Sequence, residues 1–81
     1  MENYLNHITI HSDIRFGKPC IKDTRIAVSD ILTWLASGMT MEEILEDYPQ
    51  LNKTHIYAAL QFAARREEVT KILNTNYETV A

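Results

Sequence analysis

Three helix-start signals fall within residues 29–67, each followed by apolar residues at helical spacing, and this punctuation dictates most of the fold. Ser29 is placed to cap a helix whose apolar face is Ile31, Leu32, Leu35 and Ala36, and Gly38, after Ser37, supplies the left-handed residue that ends it. A first helix over residues 29–37 is predicted. Thr40-Met41-Glu42-Glu43 has the form of a capping box, in which the hydroxyl accepts from the backbone three residues on and the carboxylate reaches back. The second helix is short, because Tyr48-Pro49 pushes the residue before proline out of helical geometry. Asn52 caps a third, with Ile56, Ala59, Leu60 and Ala63 on its apolar face and Phe62 to one side, running to about residue 67 with Leu73 as its outer limit.

Ahead of the helices, residues 7–11 alternate polar and apolar, with β-branched Ile8, Thr9 and Ile10, and read as a half-buried strand. Gly17-Lys18-Pro19 is turn punctuation; Cys20-Ile21-Lys22 and Arg25-Ile26-Ala27-Val28 suit short extended segments separated by Asp23-Thr24. Two or three short strands are marginal alone in water, so this β element must pack on the helices or pair with a second copy. The expected fold is mostly α with a small N-terminal β element: a three-helix helix-turn-helix, homeodomain-like domain, expected to be a dimer. Its parts are a β arm at 7–28, a tri-helical unit at 29–67 and a C-terminal tail at 68–81.

With 81 residues and 9.4 kDa there is room for one small fold, and burial against a partner subunit would add to a small core. Apolar residues at 46% and only two Gly and two Pro argue against disorder. Cys20 is the only cysteine and closes no intrachain disulfide, and no segment reads as a signal peptide or a membrane span, so a soluble cytoplasmic protein without a membrane partner is expected. Arg15, Lys18, Lys22 and Arg25 balance Glu2, Asp13, Asp23 and Asp30, so the net charge of −3 lies wholly in residues 39–81. This balance argues against indiscriminate nucleic-acid binding, and any such binding must be local.

The five-residue connection from Tyr48 to Asn52 places Leu45, Leu51, Ile56 and Ala59 at the buried positions of a helix-turn-helix. Glu46 stands where a small residue is usual and Gln50 where Gly would take the left-handed turn, so the turn is a relaxed version. Off the buried face, Lys53, Thr54, Tyr57, Ala58 and Gln61 would meet DNA, with Gln61 suited to adenine and Lys53 to phosphate. Glu42, Glu43, Glu46 and Asp47 on the preceding helix would oppose this unless turned away; the competing reading is a scaffold helix with a solvated face. Arg15, Lys18, Lys22 and Arg25 form a second candidate DNA surface, against which stands a structural ion pair of Arg25 with Asp23 or Asp30.

His7, His11, Asp13 and Cys20 are metal-ligand types, but on a strand the two histidines lie ~13 Å apart, so no metal site is expected. His55 reads as a surface residue whose protonation would oppose the helix dipole, and Trp34 reads as core. No phosphate-binding glycine loop, nucleophile triad or catalytic carboxylate pair can be assembled, so neither an enzyme nor a cofactor is expected. Beyond the helices, Val69, Ile72, Leu73, Tyr77 and Val80 form an apolar stripe able to enter a partner's groove or pack on a dimer mate.

The runs Gly17-Lys18-Pro19-Cys20-Ile21-Lys22-Asp23-Thr24-Arg25-Ile26, Ile31 through Gly38, and Glu43-Ile44-Leu45-Glu46-Asp47-Tyr48-Pro49-Gln50-Leu51 resemble the DUF433 family over residues 7 to about 66. The resemblance implies a small, often dimeric helix-turn-helix domain of the VapB-like antitoxin type, paired with a PIN-like ribonuclease toxin. Its implied action is occlusion of the toxin, with Arg65, Arg66 and Lys71 beside the stripe of Val69, Ile72, Leu73 and Tyr77 as partner-binding residues, and operator DNA as a second partner. The alternatives are a DNA-binding regulator with no toxin and a structural dimer module. The sequence departs from the family pattern at Cys20, Asp23 and Ala27, where Val, Gly and Pro are common; Asp tolerates positive φ better than most residues, so the turn at 23 can survive.

Overall fold

The computed structural model describes the backbone of residues 3–73 and the side chains of residues 3–66. Within them the chain is mostly helical, with three α-helices preceded by a two-stranded antiparallel β element.

The β element is shorter than its pattern suggests. Residues Tyr4–His7 form a 3₁₀ turn, started by the Asn3 carboxamide accepting from the Leu5 N–H at 2.9 Å, so His7 is not extended. Strand β1 is only Ile8–Thr9 and pairs with β2, Cys20–Ile21, in the register Ile8 to Ile21 and Thr9 to Cys20. The ladder stops there, and Ile10 is left exposed. The expected extended segment at 25–28 reduces to a single bridge between Cys20 and Ala27, because Val28 already belongs to the first helix. Between them, Thr24 N–H and Oγ1 both donate to the Ile21 carbonyl, and Asp23 takes φ 64°, a left-handed turn position.

Helix α1 is Val28–Ala36, and its cap corrects the sequence expectation. Ala27, extended at φ −77° and ψ 152°, occupies the cap position; the Asp30 carboxylate accepts from its N–H at 3.0 Å, and Ser29 lies inside the first turn. The bridge to Cys20 holds Ala27 extended, so the helix starts directly after it. At the other end Gly38 has φ 104°; the Gly38 N–H donates to Leu35 O and the Met39 N–H to Trp34 O, the paired bonds of a Schellman termination.

Helix α2, Met41–Asp47, begins with the expected box: Glu43 N–H donates to Thr40 Oγ1 at 3.1 Å and Thr40 N–H to Glu43 Oε1 at 2.8 Å. The connection folds as a tight turn closed by Leu51 N–H on Tyr48 O, with no positive φ at Gln50. Helix α3, Lys53–Leu73, follows.

The core gathers Ile21, Ile26, Val28, Ile31, Ile44, Leu51, Ile56 and Ala59 from the β element and all three helices. Trp34 is half-buried against it and stacks on Tyr48 at 4.2 Å between centroids. Four core assignments change. Ile44 is the residue α2 buries fully, with Leu45 half-buried; Ala36, expected on the apolar face of α1, is exposed in its last turn; Leu60 is 40% exposed; Ala58, expected on the solvent face of α3, is 2% exposed. The N-terminal 3₁₀ turn packs on α3. Among the described residues, no helix is long and apolar enough to cross a membrane.

Candidate functional site

Helix α3 turns successive side chains by 100°, so the solvent-exposed residues Lys53, Thr54, Tyr57, Leu60, Gln61, Ala64 and Arg65 share one continuous arc. Four candidate DNA-contacting residues, Lys53, Thr54, Tyr57 and Gln61, thus lie together, while Ala58 leaves the set because it is buried. No carboxylate interrupts that arc over residues 53–66. The acids of α2 remain exposed, with Glu43 engaged in its cap.

The start of the arc is held by an arrangement that sequence reasoning missed. Asn52 Oδ1 accepts from the His55 N–H at 3.1 Å, and His55 Nδ1 accepts from the Asn52 N–H at 3.1 Å: a reciprocal cap in which imidazole replaces the usual carboxylate. The His55 ring meets His7 of the 3₁₀ turn edge-on, at 5.6 Å between centroids. Burial, and secondarily the proximity of His7, hold His55 below the ordinary histidine value. The signal was present as Asn-x-x-His, which shares the spacing of a capping box.

The basic cluster of the β arm is divided. Arg15 turns inward: its guanidinium donates to Asp30 at 2.8 and 3.4 Å and to the Arg25 carbonyl at 2.7 Å. The structural ion pair therefore forms through Arg15, not through Arg25 as expected. The hydrogen bond to Arg15 is the first cause that holds Asp30 below the usual carboxylate range, and Asp30 in turn holds the Arg15 pKa above its ordinary value. Lys22 and Arg25 line a groove of about 390 Å³ with Thr9, His11, Ile14, Asp23 and Thr24. Lys18 lies instead in a cleft between α1 and α3 that also receives Arg66, whose guanidinium sits 5.7 Å from the centroid of the Phe62 ring.

Of the partner-binding candidates, Arg65 and Arg66 are exposed on α3. Val69, Lys71, Ile72 and Leu73 have their backbone in α3 and their side chains outside the described residues, and Tyr77 lies outside them altogether. Of the metal-ligand types in the β arm, Cys20 is buried with its thiol donating to the Lys18 carbonyl, and His7 faces His55. Among the described residues no group of three or more His, Cys, Asp or Glu converges.

Comparison with known proteins places this arrangement. A crystal structure of a DUF433 member protein from Anabaena variabilis, at 2.00 Å resolution, is similar with a TM-score of 0.74 and 28% sequence identity, covering 78% of this chain and 62% of that one. The chain therefore spans less than two thirds of that protein's length. No curated protein matches it. Residues 8–63, from β1 into the exposed arc of α3, match the family described as "Protein of unknown function (DUF433)", and the chain belongs to that family.

Proposed function

We propose that the chain is a non-catalytic, dimeric binding protein of the antitoxin type. It holds a PIN-like ribonuclease inactive by occlusion and uses α2 and α3 as a helix-turn-helix on operator DNA. The observation that carries the DNA half is the uninterrupted arc of Lys53, Thr54, Tyr57, Gln61 and Arg65, which sets one cation at the helix start and an adenine-reading amide two turns on, with no acid between. The toxin half is supported by the resemblance to VapB-like antitoxins and by Arg65 and Arg66, cations suited to the carboxylates that hold Mg²⁺ or Mn²⁺ in a PIN-type site. A regulator without a toxin is the second reading, favoured by the same arc, which needs no toxin to act.

The test has two arms. Binding to the DNA upstream of its own reading frame should weaken steeply with salt; Lys53→Ala should lower the salt slope by about one, and Gln61→Ala should cost about 1–3 kcal/mol at one base position. Co-purification from the native host should recover a ribonuclease whose activity the protein suppresses, and Arg65→Ala with Arg66→Ala should relieve that suppression. DNA binding with no co-purifying ribonuclease selects the second reading. Salt-insensitive or absent DNA binding removes the operator role.

A further inference from the structure

Two turns of the β arm form the walls of the groove of about 390 Å³ that Lys22 and Arg25 line. One follows β1, where the Ile14 N–H donates to the His11 carbonyl at 3.0 Å. The other follows β2: the Lys22 N–H donates to the His7 carbonyl at 2.8 Å, the Thr24 N–H and Oγ1 to the Ile21 carbonyl, and the Arg25 carbonyl accepts from Arg15 at 2.7 Å. The backbone of both walls is thus tied before any ligand arrives, which lowers the ordering cost of binding.

The charged ends of those walls are, by contrast, unengaged. Among the described residues no hydrogen bond or ion pair takes up the side chains of His11, Lys22, Asp23 or Arg25, all of them exposed. Asp13, the acid between His11 and Ile14, does not line the groove. Two cations and one carboxylate on one tied turn ask for a ligand that carries an anion and, beside it, a hydrogen-bond donor. A bare anion leaves Asp23 unanswered and most of the volume empty, and a run of carboxylates would meet Asp23. The half-buried Ile14 and the His11 imidazole offer a surface for a flat ring, and the volume lies in the range of small-molecule sites, roughly 300–1,000 Å³.

We propose that this groove binds a 5′-phosphorylated nucleoside: the phosphate lies between Lys22 and Arg25, the base packs on Ile14 and His11, and a ribose hydroxyl donates to Asp23. The inference goes beyond the operator and toxin readings and needs neither, since no residue of α3 lines the groove.

The probe is adenosine 5′-monophosphate (AMP), titrated into the full chain while the methyl resonances of Ile14 and Thr24 are followed by NMR. Saturable shifts at both residues are expected, with adenosine and inorganic phosphate each about tenfold weaker or more. Lys22→Ala with Arg25→Ala should lower AMP affinity about tenfold or more while other resonances stay in place. Asp23→Asn, a side chain that also tolerates positive φ, should abolish the preference for AMP over 2′,3′-dideoxyadenosine 5′-monophosphate and leave the need for phosphate intact. A 5′-phosphorylated single-stranded oligonucleotide binding tighter than AMP supports the proposal with a strand end as the source of the nucleotide, and weaker binding supports it with the free nucleotide. No shift at millimolar AMP overturns it. So does inorganic phosphate or ribose 5-phosphate binding as tightly as AMP, which makes this a general anion site, and so does duplex DNA moving these methyls when AMP does not, which assigns the groove to the operator surface.

Discussion

Phe16 is 98% exposed and has φ 59°, between Arg15 at 51° and Gly17 at 80°, so a bulky side chain stands in solvent on left-handed backbone. Such backbone costs a residue other than glycine about 1–2 kcal/mol, and here no burial offsets it. Arg15 holds the turn from outside, through its bonds to Asp30 and the Arg25 carbonyl. Phe16→Gly should therefore raise stability by about 1 kcal/mol although it removes an aromatic ring. Gly38→Ala makes the converse case. Nothing lies within 4 Å of the added methyl, so the loss of about 1 kcal/mol comes from φ 104° alone. In a domain of this size each change should move the melting temperature by roughly 4–8 °C, in opposite directions, and calorimetry checks both. The turn residues themselves were legible: Asp23 at φ 64° and Gly38 stand where the sequence placed left-handed turns. Arg15 and Phe16 were not, because neither residue type signals positive φ and only the distant Asp30 makes the conformation worth holding.

At the scale of elements, the caps of α2 and α3 differ in one respect that can be measured. Glu43 closes the first box with a carboxylate, and His55 closes the second with an imidazole nitrogen that must be unprotonated to accept. Because burial and His7 hold the His55 pKa down in the folded state, the unfolded chain binds that proton more readily. The contribution to stability is thus full above about pH 6.5, the unfolded value, and is lost as pH falls from there through the lower folded pKa. His55→Gln supplies an acceptor at the same position that does not titrate. Urea unfolding between pH 5 and 8 should show less acid sensitivity in the variant, and an unchanged slope would mean that the cap is not the titrating element. Helix ends were readable wherever the capping group is local, as at Thr40 and Asn52. The start of α1 was not, since Ala27 becomes a cap position through its bridge to Cys20, and Ser29, the better cap by composition, is left inside the helix.

For the whole molecule the decisive contact is the N-terminal 3₁₀ turn lying on α3, where His7 meets His55. Ala58 is buried and the arc from Lys53 to Arg65 is the exposed surface of the helix, so a charge at Ala58 should be costly and one on the arc should not. Ala58→Lys should destabilise by about 2 kcal/mol or more, and Ala64→Lys by less than about 0.5 kcal/mol; chemical denaturation separates the two. By itself the chain determined its helices, their two local caps, the Schellman end of α1 and the apolar residues that build most of the core. These depend on residues close together in the chain, the caps and the Schellman end on groups three to five residues apart, and spacing records them. Only the tertiary structure decided which arginine pairs with Asp30, where the strands stop, which alanine of α3 is covered, and that Lys18 and Arg66 meet across one apolar cleft. Each depends on segments far apart in the chain, brought together by burial, for which periodicity carries no information.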